Sequence, residues 1–146
     1  MVARLLLICT LISLLVGCGG GGGGSNVQTV TYPSVTLTSS HSTITENSGT
    51  EVSITATASK TSTENIVVTL ATTGTATDGT DYSAVNGTTI TITAGATKGT
   101  KTFTITDDSV YEDDETAIVA ISGVSGGGAT ESGTQSVTVT ITENES

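Results

Sequence analysis

The run Asp107-Asp108-Ser109-Val110-Tyr111-Glu112-Asp113-Asp114-Glu115 places six carboxylates in nine positions. Like charges a few ångströms apart repel and push carboxylate pKa values upward unless a cation or hydrogen-bond donors neutralise them, and this stretch holds no Lys or Arg. A bound metal ion is the remedy these residues suggest, and a solvated acidic turn is the alternative. Ca²⁺ takes about six to eight oxygen ligands in flexible geometry, whereas Zn²⁺ and copper sites use Cys or His. The chain has 1 His and 2 Cys, which favours Ca²⁺. The run is no EF-hand loop, because the alternating Asp/Asn positions, the Gly at the sixth place and the Glu at the twelfth are missing. If the chain reverses between Asp107 and Glu115, these acids converge. A second acidic segment, Glu143-Asn144-Glu145, can then reach the same place.

Catalytic chemistry has weaker support. His41 sits in Ser39-Ser40-His41-Ser42 with no sequence feature to orient it, and a Ser-His-Asp site needs an oriented base and an oxyanion hole. Paired carboxylates can cleave glycosides, but such sites lie in grooves lined with sugar-stacking aromatics, and this chain is 3% aromatic. The expectation is a protein that is not an enzyme.

The elements that must position these acids are strands. From Val35 onward apolar residues alternate with Thr or Ser between clusters of Gly, Asn and Asp, which is the signal of half-buried strands. The segments are Val35–Leu37, Ser42–Thr45, Glu51–Ala58, Ile66–Thr72, Thr89–Thr93, Thr100–Thr106, Thr116–Ser122 and Gln135–Thr142. In Glu51–Ala58 the residues Val52, Ile54, Ala56 and Ala58 share one face, as in a sheet with one wet side. Short strands at this spacing predict an all-β, immunoglobulin-like antiparallel sandwich of about seven strands, with a closed barrel as the alternative. Val, Ile and Leu must build its core with Tyr82, Phe103 and Tyr111, because there is no Trp. A chain of 146 residues makes one domain at most. Its 14 acidic against 4 basic residues, a net charge of -10, exclude nucleic acid as a partner.

The first residues carry different information. Arg4 precedes the apolar run Leu5 to Val16, which is too short for the roughly 20 residues of a membrane span but suits the core of an export signal. Leu15-Val16-Gly17-Cys18 resembles the lipobox of bacterial lipoproteins, which implies removal of residues 1–17 and a lipid on Cys18. An ordinary export signal or an uncleaved anchor is the alternative. Cys9 would leave with the signal, so no disulfide is expected. Residues 18–33, with the run Gly19 to Gly24, read as a flexible tether between the lipid and a domain at 34–146. A phosphate cradle is not expected there, since no strand, helix or Lys flanks the glycines. In a diderm bacterium, Gly19 after the Cys implies an outer-membrane lipoprotein, at the periplasmic or cell-surface face.

The blocks Gly74-Thr75-Ala76-Thr77-Asp78-Gly79-Thr80-Asp81-Tyr82, Gly87-Thr88-Thr89-Ile90-Thr91-Ile92 with Ala94-Gly95-Ala96, and Phe103-Thr104-Ile105-Thr106-Asp107-Asp108 with Val110-Tyr111-Glu112 and Asp114-Glu115 resemble the Calx-beta domain. Glu46-Asn47 ahead of Glu51–Ala58 fits the opening strands of that family. The resemblance implies an immunoglobulin-like sandwich that binds Ca²⁺ at one end. It implies ligands at Glu46, Asp81, Asp107, Asp108, Glu112 and Glu115, with Glu143 and Glu145, while Asp113 and Asp114 face solvent. Ser109 and Glu143-Asn144-Glu145 depart from the acidic residues common there. The expected function is an exported, lipid-anchored Ca²⁺-binding module, and the alternative is a Ca²⁺-independent structural or adhesion module for a protein or glycan.

Overall fold

The computed structural model describes residues 29–46 and 49–145. Residues 1–28, with the proposed export signal, Cys18 and the glycine run, lie outside the described residues, as do Asn47 and Ser48. The described elements are β1 (Ser34–Ser39), β2 (Thr43–Thr45), β3 (Glu51–Ala58), β4 (Ile66–Gly74), β5 (Thr89–Ile92), β6 (Lys98–Thr104), β7 (Glu115–Ser125), β8 (Thr130–Glu131) and β9 (Ser136–Thr142). They form two sheets, ordered β6-β3-β1-β8 and β2-β9-β7-β4-β5. This is the expected all-β sandwich, with nine strands in place of about seven.

Two pairings depart from a purely antiparallel sandwich, since β1 runs parallel to β8 and β2 runs parallel to β9. The second begins where the chain switches between sheets. Ser40 N donates to Ser53 O in the first sheet, and two residues later Ser42 O accepts from Thr140 N in the second. The chain therefore keeps its direction from β1 into β2 while changing its neighbours.

The period-2 pattern decides the faces. Val52, Ile54, Ala56 and Ala58 of β3 are buried, as are Ile66, Val68 and Leu70 of β4, and the two rows meet between the sheets. Each such aliphatic side chain contributes about 1.5–3 kcal/mol on burial. Tyr82 and Phe103 pack in the core beside the start of β3, with ring centroids 5.2 Å apart and tilted by 52°. Tyr111 departs from expectation. It is 66% exposed and takes no part in the core, because the loop that carries it leaves the sandwich after Ile105 and returns only at Glu115.

Along one side the sandwich closes tightly. A Cβ on Gly99 of β6 would lie 2.5 Å from Thr91 O of β5, so only glycine lets the two sheet edges approach this closely. Register fixes the two poles. Gly74 pairs near Ala117, Glu115 pairs with Ile141 and Thr45 pairs with Thr142, so the end of β4, the start of β7 and the ends of β9 and β2 share one pole. Ser34, Ala58, Lys98 and Thr130 mark the opposite pole.

Candidate metal centre

Five chain segments deliver carboxylates to the first pole. Glu46 follows β2 and is fixed through Glu46 N, which donates to Thr142 O at 2.9 Å. Its side chain is only 8% exposed, the one buried charged group among the described residues. Asp81 lies in the turn before Tyr82, where Asp81 O accepts from Thr106 N at 2.9 Å and one carboxylate oxygen accepts from Thr77 N at 2.5 Å. The remaining segments are the loop from Asp107 to Asp114, the start of β7 at Glu115, and Glu143 to Glu145 after β9.

The carboxylates converge in two groups. Glu46, Glu143 and Glu145 bring carboxylate oxygens within 4.8 Å of one another, and so do Asp81, Glu112 and Glu115. Hydrogen bonds tie the segments together, because Glu112 N donates to Glu143 Oε2 at 2.6 Å and Glu143 N donates to Asp114 Oδ1 at 3.1 Å. Asp107 joins through Asn144, whose amide donates to Asp107 Oδ1 at 3.1 Å and also to Glu46 O. Asp108 stands outside both groups, and its Oδ1 accepts from Val110 N at 2.7 Å within its own turn. Asp113 and Asp114 are exposed, with Asp114 nonetheless holding Glu143.

Sequence reasoning missed three contributors. Asn144 bridges segments, which a short amide among acids does not announce. Asp78 shapes the turn beneath Asp81, accepting from Val85 N at 2.8 Å and from Asn86 N at 3.2 Å. Tyr111 lines an open cleft of about 540 Å³ together with Glu112, Asp113, Asp114, Glu143 and Glu145. A close backbone approach sets the turn beside Glu115. Gly74 has φ 124°, and a Cβ there would lie 2.0 Å from Thr116 O, so the turn can press against β7 beside Glu115 only without a side chain.

The electrostatics follow from this crowding. Burial pushes the Glu115 carboxyl up to about 7, with a hydrogen bond to Asp81 and the charges of Asp81, Glu112 and Glu46 adding to it. Burial also raises Glu46, helped by the charges of Glu143, Asp108, Glu112 and Asp107. Glu143 and Glu145 shift in opposite directions. The hydrogen bond between them lowers Glu143 and raises Glu145. Glu46, Glu115 and Glu145 are therefore held back from ionising by burial and by their acidic neighbours.

The donor set fits Ca²⁺. It consists of carboxylates, the hard oxygen donors that Ca²⁺ prefers. The Oε2 atom of Glu145 is buried without a hydrogen-bond partner, an acceptor that nothing described satisfies. Lys98 and Lys101 sit on β6 opposite Thr57 and Ile54, and Lys60 reaches Thr31, so these cations lie away from the acidic pole. His41 is exposed, with Nδ1 2.8 Å from Ser40 Oγ.

Comparisons with known proteins accord with this geometry. A sequence model of the Calx-beta domain matches residues 31–145. No curated protein sequence is significantly similar. Among solved structures, CBD12 from CALX1.2 aligns at 25% identity and a TM-score of 0.60 over 70% of this chain, and this chain spans 42% of its length. The calcium binding domain CBD12 of CALX1.1 aligns at 25% identity and 0.60, over 71% of this chain and 42% of its own. The apo-form Calx CBD1 domain aligns at 24% identity and 0.59, over 75% of this chain and 97% of its own, which speaks to the fold. With the sandwich, its acidic pole and the match over most of the described residues in hand, the chain belongs to the Calx-beta domain family.

Proposed function

We propose that this chain is an exported, lipid-anchored module that binds Ca²⁺ at its acidic pole and uses the ion to fix the loops there. One observation carries the reading. Six carboxylates from distant segments converge in two groups of three, a costly arrangement that a divalent cation would relieve. Glu46, Glu143 and Glu145 would hold the ion on one side, and Asp81, Glu112 and Glu115 on the other, with Asp107 in reach through Asn144. Asp108 would contribute charge. The bound ion supplies neutralisation and cross-linking, while the chain supplies the frame of strands that sets the donors. The similarity to a structure described as a calcium binding domain supports the ion's identity. Export and lipid attachment rest on residues 1–18, and an outer-membrane position rests on the same signal.

The test is a thermal melt of residues 26–146 in chelator, in excess Ca²⁺ and in excess Mg²⁺. A ligand at about 100 times its dissociation constant adds roughly 2.7 kcal/mol, so Ca²⁺ should raise the midpoint by several degrees and Mg²⁺ far less. No shift at millimolar Ca²⁺ would overturn the reading. The alternative is then a Ca²⁺-independent module that binds protein or glycan, and the exposure of Val110 and Tyr111 beside the cleft favours it. Under that alternative Tyr111→Ala removes partner binding and Ca²⁺ has no effect on it.

A further inference from the structure

The two ends of the domain leave from opposite poles, and β2, which continues the path of the entering strand β1, is hydrogen-bonded alongside the last strand β9. Residues 29–33 enter at the pole marked by Ser34 and Thr130, where Thr130 N donates to Pro33 O at 3.0 Å and Ser34 N donates to Ser59 Oγ at 2.9 Å. The chain departs after β9 at the acidic pole. Strands β1 and β2 run from the first pole to the second in one direction, and β9 runs the same way beside β2. Tension between the ends would draw β2 toward one pole and β9 toward the other, sliding the two along their shared axis.

We propose that the domain is a load-bearing link in which the parallel β2–β9 ladder is the mechanical clamp, reinforced by the ion at its end. In this direction every bond across the ladder carries load at once. These bonds include Glu46 N to Thr142 O at 2.9 Å and Thr140 N to Ser42 O at 2.9 Å, with the Thr142 hydroxyl donating to Ile44 O at 3.3 Å. The antiparallel β1–β3 pairing, from Val35 with Ala58 to Ser39 with Ile54, is loaded in the same sliding sense. A pull that opens a pairing from one end breaks its bonds one by one and needs less force. Glu46 continues β2 while Glu143 and Glu145 continue β9, so a cation held by these three joins the two sliding strands directly. That reinforcement rests on the calcium reading. The sliding geometry does not.

Single-molecule force spectroscopy tests both parts. The full chain, with Cys9→Ser and Cys18→Ser, is pulled between its N- and C-termini and, separately, with Thr61→Cys added as its one reactive thiol, between its N-terminus and position 61. Thr61 is exposed and lies beyond Ala58 at the first pole, so the second geometry peels β1 from β3 starting at the Val35–Ala58 pair. Expected is a several-fold higher unfolding force end to end than in peeling, already in chelator, because forced unfolding reports the barrier along the loaded direction. Equal forces in the two geometries would overturn the proposal. Added Ca²⁺ should raise the end-to-end force, and Glu46→Gln should remove that increment without lowering the force in chelator. A melt shift with Ca²⁺ but no force increment would overturn the reinforcement alone. Absence of both effects would overturn the calcium reading and leave the clamp standing on its geometry.

Discussion

At the residue scale Glu46 concentrates the conflict that the pole contains. Its carboxylate is buried and surrounded by the charges of Glu143, Asp108, Glu112 and Asp107, all of which oppose ionisation. Glu46→Gln keeps the shape and removes the charge, so in chelator it should raise the melting midpoint, and in Ca²⁺ it should shrink the ion-dependent shift. Calorimetry in the two buffers reads both, and a midpoint that falls in chelator would show that Glu46 is satisfied without an ion. The pH dependence follows from Glu115. Its folded-state pKa of about 7 lies above the ordinary value of 4.5, so the folded protein binds the proton more tightly than the unfolded chain. That contribution to stability is fully present below about 4.5 and is lost as pH rises through about 7. In chelator, stability should therefore decline from pH 5 to 8, to the extent that Glu115 governs it. Ca²⁺ affinity should rise over the same interval, because the ion binds the deprotonated carboxylate. Ion titrations at pH 5.5 and 8 check the second statement.

At the element scale much of the fold was legible in the sequence. The alternation in Glu51–Ala58 names β3 to the residue, because one face meets the core and the other meets water along its whole length. The short β8 was not legible. Thr130 and Glu131 pair with Ser34 and Val35 only because the chain entry happens to lie beside them, and two residues carry no periodicity. The β2–β9 pairing joins residues nearly a hundred positions apart, which no local pattern encodes. Six of the eight proposed ligands stand in the two carboxylate groups, while the bridging role of Asn144 depends on the same long-range pairing. Tyr111 misleads because an aromatic flanked by acids looks like a buried anchor, whereas the loop crosses between sheets too far from the core to insert it. Where β4 meets β7, Gly74→Ala should cost on the order of 3 kcal/mol, from a strained φ and a collision with Thr116 O. Since Thr116 follows Glu115, the same substitution should weaken Ca²⁺ binding. Denaturant unfolding and an ion titration measure the two effects, and an unchanged unfolding midpoint would show that the turn relaxes freely.

At the scale of the whole molecule charge is unevenly spread. Lys60 and Lys98 lie toward the pole where the chain enters, while the carboxylates crowd the other, about 25 Å away along an eight-residue strand. Self-repulsion within the acidic pole weakens with added salt, whose screening length falls from about 30 Å at 0.01 M to about 3 Å at 1 M. Melting in chelator should thus move upward with NaCl, and saturating Ca²⁺ should flatten that dependence. A downward movement in chelator would mean that repulsion at the pole is not what limits stability.

The spacing of the donors along the chain has a consequence in time. Glu46 lies near the beginning of the sandwich and Glu145 is its last described residue, and β2 has no partner in its sheet until β9 arrives beside it. A polypeptide emerging N-terminus first, from a ribosome or a pore, carries an incomplete donor set until the last strand of the sandwich has come through. On the proposed reading calcium would act as a latch on the finished fold: it would reward only a chain whose final strand has already found its place, and would leave every shorter intermediate unlocked.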